Sequence, residues 1–249
     1  MPMQKVCDYS DTDYKKDFWG NGIRDYEDLV ERHAVRRLLP AYGEKFLEIG
    51  GGFGRLMEEY VSRFKESRMM DYAANLVAQA QQKVAELQLT QVKVCQGNVY
   101  DLSEIGNNYD CCMMIRVMHH LEDVPAAFNQ INKILKKDGT FILEYANKRN
   151  VLEILRMVFG KQHINPFSYE PTRRGEGLFY NFHPAFIKDA LERNGFIIEQ
   201  ELMVSLFRSD FLKKRINYKL LSAAEKIVQA PLGFLKISPS VFIKARKIK

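Results

Sequence analysis

Four glycines fill five positions behind an acid in the run Glu48-Ile49-Gly50-Gly51-Gly52-Phe53-Gly54. Downstream stand Asp71, then Asn98, then the pair His119-His120. Glycines clustered in this way let the backbone turn sharply and let a ligand lie against the main chain, with no Cβ in the way. A phosphate-gripping loop needs Lys-Ser or Lys-Thr after its last glycine, and Arg55-Leu56 stands there instead. The dinucleotide pattern G-x-G-x-x-G also fails, at Arg55 when counted from Gly50 and at Phe53 when counted from Gly51. What remains is E-x-G-x-G-x-G; the plain alternative is a glycine turn that holds nothing.

The hydrophobic pattern supplies the elements that must position these residues. Residues 45–49 read as a short buried strand ending at the glycines, and 55–64 as a helix. Residues 67–70 read as a second strand ending at Asp71, 74–87 as a helix and 92–96 as a third strand. The unbroken apolar run Cys111-Cys112-Met113-Met114-Ile115, within 110–116, fits a central parallel strand covered on both faces. A helix over 125–135 and a turn at Asp138-Gly139 lead to a fifth strand over 140–145. This alternation predicts an α/β fold with a doubly wound, mostly parallel sheet. An irregular arm over 1–22 and a helix over 26–39 precede it. After it come a helical piece over 151–159, a helix over 184–193, a strand over 196–207, a helix over 211–228 and a last strand over 241–245. A chain of 249 residues with 46% hydrophobic content fits one domain. It divides into an arm and helix (1–44), a core (45–148), an insertion (149–182) and a C-terminal part of the sheet (183–249).

The glycine segment resembles the first motif of class I S-adenosylmethionine-dependent methyltransferases. The resemblance implies that Gly50, Gly51, Gly52 and Gly54 wrap the methionine part of S-adenosyl-L-methionine, with Glu48 beside it. That ligand carries an ammonium and a sulfonium and no pyrophosphate, so a carboxylate at the strand end suits it. Asp71, seventeen residues after Gly54, stands where the family places an acid against both ribose hydroxyls; two carboxylate oxygens match a vicinal diol. Tyr72 would pack on the adenine. Gly97-Asn98-Val99 stands at the family's G-D-A stretch, where Asn98 keeps an acceptor for the adenine amine without the charge. Residues 109–121 resemble the fourth segment, which sets Arg116 against the cofactor and His119 and His120 between cofactor and acceptor. Asp138-Gly139-Thr140 replaces the usual Pro-Gly-Gly. The resemblance is solid over 45–145 and implies a seven-stranded Rossmann-like sheet with an antiparallel C-terminal strand.

Displacement at a sulfonium has a good leaving group. The protein must align the acceptor, exclude water and, for some acceptors, remove a proton. His119 and His120 are candidates for that base, with packing or a helix start as the alternative; Glu144, Tyr145 and His183 are weaker ones. The insertion carries Phe159, His163, Phe167, Tyr169, Phe179, Tyr180 and Phe182, which suggests an aromatic lid over a small apolar acceptor or else local packing. Tyr14, Trp19 and Arg24 of the arm are candidates to close the cofactor pocket.

The four cysteines show neither metal-type spacing nor a disulfide framework, and no N-terminal apolar leader is visible, so a reducing cytoplasm is the expected compartment. Residues 211–249 hold ten Lys or Arg against the single acid Glu225, while the rest holds 27 bases against 30 acids. The positive excess therefore belongs to the C-terminal part alone. Phe211, Leu212, Ile216, Leu220, Ala223 and Ile227 form one helical stripe, with Lys213, Lys214, Lys219 and Lys226 off it. The expectation is a stripe laid on the sheet with a solvated lysine face; docking to an anionic surface such as a membrane is the alternative. No base-stacking motif and no Asn-Pro-Pro-aromatic segment accompany the bases, which argues against nucleic acid. A small-molecule acceptor is the first reading. RNA or protein methylation, and a non-catalytic S-adenosylmethionine-binding protein, are the others.

Overall fold

A computed structural model describes residues 13–22, 24–162, 164–174 and 178–249. Cys7, Tyr9 and His163 lie outside them. Five strands run in parallel: β1 (Gly43–Ile49), β2 (Phe64–Asp71), β3 (Val92–Gln96), β4 (Tyr109–Met114) and β5 (Leu135–Ala146). A two-stranded ribbon, β6 (Thr172–Arg173) and β7 (Tyr180–Asn181), stands apart. Then β8 (Phe196–Val204) and β9 (Ser240–Lys247) complete a seven-stranded sheet in the order β3-β2-β1-β4-β5-β9-β8, with β9 antiparallel to both neighbours. The chain order reverses at β1 and β4, which leaves a crevice at the C-terminal ends of those strands.

Alternate residues of β4 enter different cores, which is why the strand is apolar throughout. Cys112 and Met114 join Phe128 and Ile131 of α5 (Val124–Ile134) and Ile187 of α7 (Pro184–Arg193) on one face. Cys111 and Met113 join Val30 and Val35 of α2 (Asp25–Leu38) and Ala80 of α4 (Ala74–Glu86) on the other. Burial pushes both thiols up, as befits packing groups.

Four expectations change. The arm is not wholly irregular: α1 (Tyr14–Trp19) forms there, capped by Asp13, whose side chain accepts from Lys16 N at 3.1 Å. The helix expected over 55–64 shrinks to α3 (Met57–Tyr60), and Phe64 opens β2 with its ring 4.9 Å from that of Phe46; burial of that ring beneath the sheet overrides the helical spacing. Asp138-Gly139 is a kink inside β5, not a turn before it. Asp138 takes φ 60°, and the pairing jumps from Tyr109↔Leu135 to Cys111↔Thr140.

The fourth change concerns 211–228. Two helices form there, α8 (Asp210–Lys213) and α9 (Tyr218–Val228), with Asn217 capping the second. Most of the predicted inward stripe faces out: Phe211, Leu220 and Ile227 are 61%, 66% and 74% exposed, although Leu212 packs against the core as expected, while Leu221, Ser222 and Glu225 are buried. The physical reason is Glu225. Its carboxylate accepts from Ser205 N at 2.8 Å and Leu206 N at 2.7 Å, and from the Tyr26 hydroxyl, which itself accepts from Phe207 N at 2.8 Å. Two amides at the end of β8 have this carboxylate as their acceptor, so α9 turns its polar side inward.

Removing that acceptor is therefore costly. Glu225→Ala is expected to lower unfolding free energy by ~2–5 kcal/mol, because two amides and a hydroxyl lose their partner. Urea unfolding measures it, with Lys219→Ala as a surface control that stays within ~0.5 kcal/mol of the parent.

Candidate active site

The crevice is built by a carboxylate holding a loop. Gly50 N and Gly51 N donate to the Met70 carbonyl at 2.8 and 3.2 Å, joining the ends of β1 and β2. Gly52 N then donates to Asp71 Oδ2 at 2.8 Å, and Ala73 N to Asp71 Oδ1 at 3.0 Å. Glycine is required at two of these positions. Gly50 has φ 69°, and a Cβ there would lie 2.1 Å from Val117 Cγ2; Gly52 has φ 59° and faces open space.

The hollow in front of the loop has a volume of about 900 Å³. It brings together Glu48, Gly50, Gly51, Gly52, Asp71, Tyr72, Val99, Arg116 and His120 from the sequence expectations, with Tyr14 and Trp19 of the arm. Gly54, Asn98 and His119 lie off it. The Gly54 carbonyl accepts from Lys83 Nζ at 3.0 Å, so this residue braces the loop from behind. Asn98 Oδ1 accepts from Tyr100 N at 3.0 Å, and its amide oxygen is thus engaged in its own turn.

Burial pushes the Glu48 carboxyl up to about 7, with the Tyr60 hydroxyl donating to it at 2.8 Å. Beside it lies a charge cluster that the sequence reading missed. Arg55 Nη2 donates to Glu31 Oε2 at 2.6 Å, and Arg116 Nε to Glu31 Oε1 at 2.9 Å. Burial alone would raise the Glu31 carboxyl, but the Arg116 and Arg55 charges together hold it below its ordinary value. The three guanidiniums of Arg55, Arg116 and Arg24 stand 3.9, 5.1 and 5.6 Å from the Trp19 ring. A signal for Glu31 existed: it occupies the inward stripe of α2 with Glu27, Val30 and Ala34. Arg116 adopts φ 59°, a conformation costly for a side-chain-bearing residue. Its amide donates to Glu144 Oε2 at 3.0 Å, and Ser240 Oγ donates to Glu144 Oε1.

His120 Nδ1 lies 2.8 Å from the Leu178 carbonyl oxygen, so this nitrogen is assigned the proton and Nε2 the lone pair. His119 is buried, its ring 4.0 Å from His120 and 4.6 Å from Phe179. Burial lowers both imidazoles, which keeps them neutral. A second cavity of about 670 Å³ shares Tyr14, Arg116 and His120 with the hollow and adds Phe18, Arg24, His119, Glu144, Phe179 and Arg208. A third, of about 1200 Å³, shares Ala146, Phe179, Arg208 and Pro239 with the second.

Of the insertion's aromatics, Phe179 is the one lining these cavities among the described residues. Phe182 is buried in the core with Tyr180 against it, Tyr169 packs on Phe186 at 5.6 Å, and Phe159 and Phe167 face solvent. The buried Lys148 side chain ties the insertion down, its Nζ donating to Ser168 Oγ at 2.7 Å, Thr172 Oγ1 at 3.1 Å and the Glu170 carbonyl. Tyr145 is a core residue, and the His183 ring caps α7, accepting from Ala185 N at 3.2 Å.

Residues 47–143 match the family described as a methyltransferase domain. A ubiquinone biosynthesis O-methyltransferase of Azorhizobium caulinodans is 25% identical over 132 residues, which cover 53% of this chain and 51% of that one. The chain spans about half or less of the length of the curated relatives it matches. Among solved structures, a SAM-dependent methyltransferase of Thermotoga maritima shares the fold with a TM-score of 0.65 at 17% identity, over 97% of this chain and 98% of that one. A magnesium protoporphyrin IX methyltransferase of Synechocystis, with bound SAH, gives a TM-score of 0.62 at 19% identity, over 92% and 87%.

Trp19 is the chain's single tryptophan and lines the hollow, so its fluorescence reports occupancy. Asp71→Ala is expected to weaken S-adenosylhomocysteine binding by ~1–3 kcal/mol in a fluorescence titration. Binding should also follow the Glu48 proton. An ammonium-bearing ligand favours the ionised carboxylate, so affinity rises with pH up to about 7 and falls below it by as much as about tenfold per unit. In Glu48→Gln that pH dependence should flatten.

Proposed function

We propose that the chain is a class I S-adenosylmethionine-dependent methyltransferase, built on the methyltransferase domain matched over residues 47–143, and that it methylates a small molecule seated in the cavity beyond His120. The adjacency of that cavity to the glycine hollow, with Tyr14, Arg116 and His120 lining both, carries the reading. The hollow's residues fit the cofactor. Gly52 leaves open space where a Cβ would stand, Asp71 offers two oxygens to a vicinal diol, and buried Glu48 suits an ammonium. Tyr72, Val99 and Leu121 give an apolar wall for the base. When bound, S-adenosylmethionine supplies a methyl group on a sulfonium, open to in-line displacement.

The remaining work falls to the chain. The Arg55–Glu31–Arg116 cluster and Trp19 close one side of the hollow and limit water. The Leu178 carbonyl fixes the His120 tautomer, and Nε2 takes the proton of a hydroxyl acceptor. His119 packs behind it with Phe179, which keeps the ring in place. Phe179 and Phe18 form the aromatic cover over the acceptor. The two named relatives, acting in ubiquinone biosynthesis and on magnesium protoporphyrin IX, support a small-molecule acceptor of apolar, conjugated type. The reducing cytoplasm remains the compartment we propose.

The test is a panel of phenolic, quinol and amine acceptors, scored by S-adenosylhomocysteine release from purified protein. Turnover of at least one hydroxyl acceptor is expected; failure to bind the cofactor at all sinks the reading. With such an acceptor, His120→Gln should lower kcat by about 10²-fold and leave the cofactor KM unchanged. Because burial holds the His120 imidazole below its ordinary pKa, the parent's kcat should stay level from neutral pH upward and fall only on the acid side, where the ring takes a proton.

A further inference from the structure

We propose that the outward face of α8 and α9, with the adjoining turn at Phe234, docks on a bilayer surface carrying anionic phospholipid headgroups. The face is apolar and open: Phe211, Leu220, Ile227 and Phe234 are 61%, 66%, 74% and 70% exposed. Scattered exposed apolar side chains are ordinary on a protein surface, but a helical stripe of them is not. This stripe exists because Glu225 holds the polar side of α9 inward, so that the apolar side stays uncovered among the described residues.

Charge selects the occupant. Lys214, Lys219 and Lys226 flank the stripe, all exposed, and none makes an ion pair among the described residues. Arg215 joins them, its guanidinium 3.8 Å from the Phe211 ring. Against these stands one exposed acid on the two helices, Asp210, since Glu225 is buried. Long basic stems beside leucine, isoleucine and phenylalanine suit the headgroup boundary, where the alkyl part is buried and the ammonium meets phosphate. A second copy of the chain fits poorly, because a two-fold contact here sets lysine rows against each other without acids between them. RNA fits less well: of the four exposed apolar side chains Phe211 and Phe234 could stack a base, but Phe211 already carries the Arg215 guanidinium, and Leu220 and Ile227 between the lysines have no stacking face and gain nothing against a phosphodiester backbone.

A second apolar edge lies across the outer cavity. α6 (Val151–Val158) exposes Leu155 and Val158, followed by Phe159. Its Leu152 and Arg156 line that cavity together with Arg208, Asp210 and Lys213. The docking face thus borders the mouth of the cavity series that ends at His120, and a lipid-dissolved acceptor would enter there. That route rests on the methyl-transfer reading; the docking does not.

Sedimentation of the full chain with vesicles tests the docking, comparing phosphatidylcholine alone with phosphatidylcholine plus phosphatidylglycerol. The chain should pellet with the anionic vesicles, less so as salt rises. The pair Leu220→Ser and Ile227→Ser, and separately the pair Lys214→Glu and Lys219→Glu, should each weaken this by about tenfold or more. Both pairs are surface changes and should leave S-adenosylhomocysteine binding as in the parent. Equal pelleting with neutral and anionic vesicles overturns the proposal, as does indifference to both pairs. So does a lipid-free dimer, seen by light scattering, that the Leu220/Ile227 pair dissolves. Because cofactor binding and turnover of a water-soluble acceptor are read separately, loss of docking and loss of the methyl-transfer reading remain distinguishable.

Discussion

The amide of Gly52 and the carboxylate of Asp71 meet at 2.8 Å across the ends of two neighbouring strands, and the shape of the hollow follows from that contact. A carboxylate accepting two backbone N–H groups, one on each oxygen, is oriented by the main chain rather than by its own rotamer. The same bond pulls the loop out of the path of the strands. Left-handed backbone at Gly50 and Gly52 is the cost, and Val117, pressed against Gly50, shows how little room is left behind. Crevice, loop and acid are therefore one unit, set at the place where the sheet's strand order reverses.

Around this unit the chain buries more charge than a passive pocket needs. Glu31 is enclosed between Arg55 and Arg116, and Arg116 carries a second carboxylate, Glu144, on its amide. Burying such groups is unfavourable unless every member is satisfied. Here the partners come from α2, the glycine loop and the ends of β4 and β5, so the cluster registers four separate pieces of chain against each other. Trp19 lies over the result and brings the N-terminal arm into the wall of the hollow.

The sheet and the front of the site were legible in the sequence for local reasons. A glycine run after an apolar strand has few structural uses, and an acid at the next strand end stands within reach by topology. The parallel core follows from the same alternation, while the antiparallel β9 was implied by the family resemblance and not by the pattern. What stayed hidden depends on distance or on exceptions to binary patterning. Glu31 and Arg116 are 85 positions apart, and nothing in either neighbourhood names the other. The orientation of α9 was misread because periodicity assumes that polar residues face water, whereas Glu225 and Gln229 are fully enclosed. The kink at Asp138-Gly139 looked like a turn because its residues are turn residues; the pairing on either side of it is tertiary.

The buried ammonium of Lys148 bears on how such a chain can change. Among the described residues, 149–182 form no ladder with the main sheet; that nitrogen, the short bridge between Asn147 and Phe182, the Leu178 carbonyl on His120 and the packing of Tyr169 and Phe182 on Phe186 hold them. Change is easiest at its exposed part, around Phe159 and Phe167, while the glycine loop and Asp71, held by other bonds, keep their positions. The glycine loop is fixed by backbone geometry and that outer part is not, so a substitution in one need not disturb the other.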